Sequence, residues 1–266
     1  MDSGGKREGE EAFFQVLSNN DLWRELKKHM YLVGDKTSNW YNYTDGDCAA
    51  LHGYFSLIKE KSNLKYTEKA LDYACCVGHV EMVKFLHGNR TEGCTSDAMD
   101  SAAASGYLEV VKFLHENRKE GCTVSAMDSA ASNGYLDVVK YLHQNRKEGC
   151  TDYAMDMACS SGHLDVVKWL HKNRKEGCTK YAMFSAATYG HLDVVKWLRE
   201  NIEDWCDIEA INTSKSNGHS EIAAFLSENK RNDGCSVIGC KHDSLGIHYS
   251  NYSDTISSSD INPAMT

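Results

Sequence analysis

A block of 28 residues returns in register along this chain, and that one feature leaves little choice of fold. Gly93 to Glu120 reads GCTSDAMDSAAASGYLEVVKFLHENRKE. It returns as Gly121 to Glu148, GCTVSAMDSAASNGYLDVVKYLHQNRKE, and as Gly149 to Glu176, GCTDYAMDMACSSGHLDVVKWLHKNRKE. Self-similarity at a fixed step of this length marks stacked units, none of which can cover its own apolar faces alone.

Each unit reads as two short helices. Thr95, Thr123 and Thr151 stand where a hydroxyl acceptor can cap a run of good helix formers. Ala98, Met99, Ala102 and Ala103 then give one apolar stripe at helical spacing. Gly106 ends that helix, because glycine enters the left-handed region at no steric cost. Leu108, Val110, Val111, Phe113 and Leu114 make the apolar set of the second helix, which starts near Leu108. Asn117 is expected to end it in the same left-handed cap, where asparagine is the second choice. The paired alanines let helices approach at the near end of the usual ~8–10 Å between axes.

The frame Ala-Ala-x-x-Gly-Tyr/His-Leu-x-Val-Val-Lys-x-Leu, written out at Ala102 to Leu114 and at Ala186 to Leu198 (AATYGHLDVVKWL), resembles the helical half of an ankyrin repeat. The resemblance covers residues 49–226 and recurs in register. Two departures stand out. The usual unit of the family is near 33 residues, and its Thr-Pro-Leu-His opening is replaced here by Asp97, Ala98, Met99 and Asp100. The missing residues are those of the β-hairpin finger between units. This short form is similar to repeats expanded in amoebae, oomycetes and giant DNA viruses. The resemblance implies an all-α, elongated α-solenoid of stacked helix-turn-helix units with fingers short or absent. It also implies a class of function, the binding of other proteins.

The chain divides accordingly. Residues 1–11 are expected to be disordered, and 12–36 to hold an N-terminal capping helix built on Leu22, Trp23, Leu26 and Met30. The solenoid is expected over 37–232: a worn repeat at 37–64, then 65–92, 93–120, 121–148, 149–176 and 177–204, and a polar capping repeat at 205–232. Residues 233–266, rich in Ser, Asp and Asn, read as a disordered tail.

A formal charge of −9 argues against nucleic acid as the general partner. No run of 18 apolar residues offers a membrane span, and MDSGGKREGEE is not a secretory signal, so a cytoplasmic protein is expected. Of the eleven cysteines, six follow the repeat: Cys94, Cys122, Cys150, Cys178, Cys206 and Cys235. Equivalent positions in stacked helices lie ~8–10 Å apart, beyond the ~7 Å a disulfide spans. The column is therefore expected to be small buried groups in a reducing compartment.

Several columns could be mistaken for chemistry. His87, His115, His143 and His171 each stand seven residues before a cysteine, one per unit, where a metal would want clustered ligands. Cys235, Cys240, His242 and His248 have an irregular zinc-knuckle spacing, and the chain is expected to hold no metal and no cofactor. Asp72, Asp100, Asp128 and Asp156 are expected to form a solvated ridge of one carboxylate per layer. The lysine and arginine columns, among them Lys84, Lys112 and Lys140 with Arg90, Arg118 and Arg146, are diluted by Glu109, Glu120, Asp137 and Glu148. Neither a phosphate loop nor a hydrolase or metalloprotease motif occurs, so no catalytic residue is assigned and no enzyme is expected.

What varies within the fixed frame carries more weight. Asp152, Tyr153, Asp156, Met157, Lys180, Tyr181, Phe184 and Tyr189 lie at positions where other units carry smaller or more polar residues, or residues of different charge. Repeat stacks bind along such a face, and large aromatic groups are the usual anchors. The expectation is a monomeric, non-enzymatic scaffold that binds a protein partner on this strip, with no small-molecule substrate. Two other readings are an adaptor of a ubiquitin ligase whose N-terminal F-box-like helix docks the ligase, and a weak binder of nucleic acid or anionic surfaces through the basic columns.

Overall fold

The structure is a computed structural model that describes residues 45–202 and 207–229. The expected N-terminal helix, the tail, and the Cys235, Cys240, His242 and His248 set lie outside the described residues. Fourteen helices make up the described part, with one isolated β-bridge, Asp45 to Lys65, and no strand.

The helices come in pairs. A short pair, α1 (Gly46–Leu51) and α2 (Phe55–Glu60), leads. Then come α3 (Lys69–Val77) with α4 (Val80–Asn89), α5 (Asp97–Ala104) with α6 (Leu108–Asn117), and α7 (Val124–Ser132) with α8 (Leu136–Asn145). They are followed by α9 (Tyr153–Ser160) with α10 (Leu164–Asn173), α11 (Tyr181–Tyr189) with α12 (Leu192–Asn201), and α13 (Asp207–Ser216) with α14 (Ser220–Glu228). Each first helix packs on its own second helix and on the first helices of the units before and after it. The connectors between units form no hairpin among the described residues.

Local chemistry sets these boundaries. The hydroxyls of Thr95, Thr123, Thr151 and Thr179 each accept the backbone N–H two residues on, at 3.1–3.2 Å. Loss of one such cap costs about 1 kcal/mol. Gly106 ends the first helix of its unit at φ +77°, and the Tyr107 N–H turns back to the Ala102 carbonyl at 2.9 Å. The second helices end differently from expectation. Arg118, after Asn117, is extended at φ −127°, and the Asn117 side-chain amide instead donates to the Phe113 carbonyl at 2.8 Å. Asn89, Asn145, Asn173 and Asn201 do the same. The amide supplies a donor to a carbonyl of the last turn and leaves the chain free to extend.

The core repeats with the sequence. Ala102 and Ala103, Ala130 and Ala131, and Ala186 and Ala187 are fully buried. Met99, Met127, Met155 and Met183 form a buried column beside them, each at most 2% exposed. Burying one such side chain stabilises by roughly 1.5–3 kcal/mol, and the unbranched thioether adapts to the gap that small neighbours leave. The two consecutive valines and the leucine of each second helix close the layer: Val110, Val111 and Leu114 in one unit, Val166, Val167 and Leu170 in another.

Side-chain ladders lock each unit to the next. The aspartate column is not a solvated ridge: Asp72, Asp128 and Asp156 are buried and Asp100 half-buried. Each carboxylate accepts both the backbone N–H and the hydroxyl of the capping threonine 23 residues on, at 2.5–2.9 Å. Asp47 takes Thr67 in the same way. Burial raises the pKa of these carboxyls against the lowering effect of the threonine bonds, and carries Asp156 up to about 6. A second ladder seats a ring on the glycine of the unit before. Tyr135 lies on Gly106, His163 on Gly134 and His191 on Gly162, so close that a Cβ there would stand 2.5–2.6 Å from the ring.

The histidine column makes the third ladder. His87, His115, His143 and His171 meet Phe113, Tyr141, Trp169 and Trp197 of the following unit edge to face, with ring centroids 5.1–5.9 Å apart. In the connectors Arg118, Arg146 and Arg174 pair with Glu120, Glu148 and Glu176. The same guanidinium groups face the thiols of Cys94, Cys122 and Cys150. All eight described cysteines are free. Burial outweighs the adjacent cation and pushes Cys94, Cys122 and Cys150 up to about 11, which keeps them as thiols.

Candidate functional site

The ladders use up part of the variable set. Asp156 is 5% exposed and its two oxygens are occupied by Thr179, so it belongs to the joint between units. Asp152 and Lys180 are exposed at the N-termini of α9 and α11. Tyr153, the first residue of α9, is 53% exposed, its ring clear of the buried core. Met157 lies one turn on, on the same flank, half-buried.

In the next unit Tyr181 occupies the register position of Tyr153, since 181 − 153 = 28. The helices that carry them, α9 and α11, pack side by side. Phe184 adds a second ring, its centroid 6.2 Å from that of Tyr181. It stands at the position of the aspartate ladder, which ends there, and Asp207 stands at the position of the threonine. Tyr153, Met157, Tyr181 and Phe184 are thus four large apolar side chains on the flank of two adjoining first helices, none counted among the buried core or its packed margin.

The flank is different in the units before. Asp97, Asp100 and Ser101 hold the matching positions on α5, and Ser125, Asp128 and Ser129 on α7. These positions therefore pass from serine and aspartate to large apolar side chains along the stack.

Tyr189 is 54% exposed but sits at the C-terminal end of α11, eight residues and roughly 12 Å along the axis from Tyr181. It is apart from the other four. Sequence reasoning passed over Tyr107 and Tyr135, both more than a third exposed, whose rings cover Gly78 and Gly106. The signal was present as an aromatic after each helix-ending glycine, but its seat is on another unit.

Among the described residues no three histidine, cysteine, aspartate or glutamate side chains gather as a metal site. No described helix is long and apolar enough to cross a membrane.

The geometry now has a counterpart among known proteins. A family model for ankyrin repeats (3 copies) matches residues 127–212, and one for ankyrin repeats (many copies) matches 71–115 and 99–143. The chain belongs to the ankyrin repeat family. Among solved structures, the crystal structure of human ASB11 ankyrin repeat domain is similar in fold, with a TM-score of 0.52 at 18% identity, over 68% of this chain and 96% of that one. Comparison with curated proteins gives no match. Ankyrin repeats are in general modules of protein–protein interaction. Relative to the usual ankyrin unit, this chain keeps the helix pair and shortens the connector.

Proposed function

We propose that this ankyrin stack is a non-catalytic scaffold that binds a protein partner on the flank of α9 and α11. One observation carries the reading: Tyr153, Met157, Tyr181 and Phe184 leave the core while the frame around them stays fixed. Large apolar groups held on rigid helices lose little freedom on binding and make good anchors. Asp152 and Lys180 give the patch a polar rim of both signs. Tyr189 extends the same helix toward a second contact.

The basic columns favour this reading over an anionic partner. Arg118, Arg146 and Arg174 are each neutralised by a glutamate of their own connector, and Lys84 and Lys112 by Glu81 and Glu109.

The test is capture of partners by the full chain, followed by binding measured on variants. Tyr153→Ala with Tyr181→Ala should weaken binding by tenfold or more and leave the thermal midpoint nearly unchanged. Lys112→Ala, on a second helix, should bind as the parent does. Equal losses from both variants, or none from the tyrosines, would refute this face.

A further inference from the structure

Successive units are clasped at both ends of the first helix. At the connector end, where that helix begins, an aspartate takes the capping threonine of the next unit, as in 72–95, 100–123, 128–151 and 156–179. Beside it an arginine of the following connector covers the glycine of the connector before: Arg118 on Gly93, Arg146 on Gly121 and Arg174 on Gly149. Its Nη2 lies 2.5–3.1 Å from where a Cβ on that glycine would stand. The same arginines lower the pKa of Cys94, Cys122 and Cys150 against burial. At the other end a ring sits on the glycine that stops the helix.

The joint between α11–α12 and α13–α14 keeps one end and not the other. Phe184 and Asp207 replace the aspartate and the threonine. Ile202 replaces the arginine and packs against the core, and a Cβ on Gly177 would meet nothing within 4 Å. Cys178 is raised by burial and then by Asp156 and Asp152, with no guanidinium to lower it. The directional contacts of the connector end have thus given way to apolar packing, which has no preferred direction and permits sliding.

The opposite end is intact. A Cβ on Gly190 would stand 2.6 Å from the His219 ring, whose Nε2 lies 3.0 Å from the Thr188 carbonyl oxygen. The second helices add contacts of their own. Arg199 donates to the Asn229 carbonyl at the end of α14, and Lys196 Nζ stands 5.7 Å from the centre of the Phe225 ring. A unit fastened along α12–α14 and at the His219 seat, but not where α13 begins, has a pivot and an open edge.

We infer that α13–α14 is a hinged terminal unit, which swings about the His219–Gly190 seat and parts α13 from α11 beside Phe184. The swing detaches α13 first, because α14 stays tied to α12 through Arg199. A helix of ten residues does not hold its own hydrogen bonds once detached, so the opening is visible in amide exchange.

Hydrogen–deuterium exchange of the full chain, read by mass spectrometry and corrected for intrinsic rates, tests this order. Amides of α13 should exchange about tenfold faster than those of α11 and of α14. Phe184→Asp with Asp207→Thr, which rewrites the clasp, should remove that excess. His219→Ala, which takes away the pivot, should speed α13 and α14 together. Should the double variant fail to fold, the order of exchange in the parent and His219→Ala decide. Equal rates in α11 and α13, or fastest exchange in α14 as in an end that merely frays, would overturn the inference. So would a folded double variant whose α13 exchanges as before, or a His219→Ala variant that leaves α14 unchanged.

Discussion

Replacing Asp156 by alanine tests the joint between units, and its effect should depend on pH with a sign that the burial fixes. In the parent the carboxylate takes the Thr179 N–H at 2.8 Å and the Thr179 hydroxyl as well. Its loss leaves two part-buried donors without an acceptor, at a cost of about 2 kcal/mol at pH 7.5. The ionised carboxylate is itself poorly solvated, and burial lifts its pKa from 3.8 to about 6. A folded-state pKa above the unfolded one means that the folded chain takes up the proton first. The stabilisation from that proton is complete below about 3.8 and is lost as pH rises through about 6. A shift of this size amounts to roughly 2–3 kcal/mol, of which about 2 kcal/mol should be present at pH 4.5. The gap between parent and Asp156→Ala should therefore widen on acidification, from about 2 to about 4 kcal/mol. Urea unfolding followed by tryptophan fluorescence at pH 7.5 and 4.5 measures it, the difference between the two proteins cancelling other titrations. A gap that stays constant or narrows in acid would refute the argument, because it would place the pKa of Asp156 at or below its unfolded value.

Three further outcomes follow from the packing. Gly162→Ala should lower the unfolding midpoint well beyond Gly177→Ala: both glycines have positive φ, but only Gly162 has a ring, that of His191, within 2.5 Å of a new Cβ. The control should show only the ~1–2 kcal/mol of the left-handed conformation. In thiol labelling mapped by mass spectrometry, exposed Cys76 should react in the native state, while Cys75 and Cys159, fully buried and with pKa values raised mainly by burial, should react only on unfolding. Trp197→Leu should destabilise the stack by about 1 kcal/mol through the lost edge-to-face contact with His171, and an accompanying His171→Ala should add less than its separate effect, as read in a double-mutant cycle.

Much of this architecture could be read from the residues. The period, the helix pair, the threonine caps and the glycine stops all rest on short-range chemistry that one unit displays in full; the cysteine column is buried at Cys94 and Cys150 and half-buried at Cys122 and Cys178. What escaped lies between units. An aspartate on a first helix looks solvated until its partner is known to stand 23 residues downstream on the next layer. The pairs 72–95, 100–123, 128–151 and 156–179 repeat that spacing. The simultaneous change to Phe184 and Asp207 marks where the ladder stops. The end of the second helix was misjudged for a related reason. Asn117 has two ways to finish a turn, and the extended Arg118, held by Glu120, selects the side-chain route. Of the candidate face, Tyr153 and Tyr181 were legible as departures from the frame, but the separation of Tyr189 from them needed the length of α11.

From Asp72 to Thr179 each kind of clasp between layers joins one half carried by a unit to the other half carried by its successor, at a constant offset of its own. A duplication of any 28 consecutive residues within 93–176 would thus arrive with both halves of its own clasps in place, and the chain could lengthen with no new fitting. A copy one residue longer or shorter would set carboxylates, rings and glycines out of step along the whole joint.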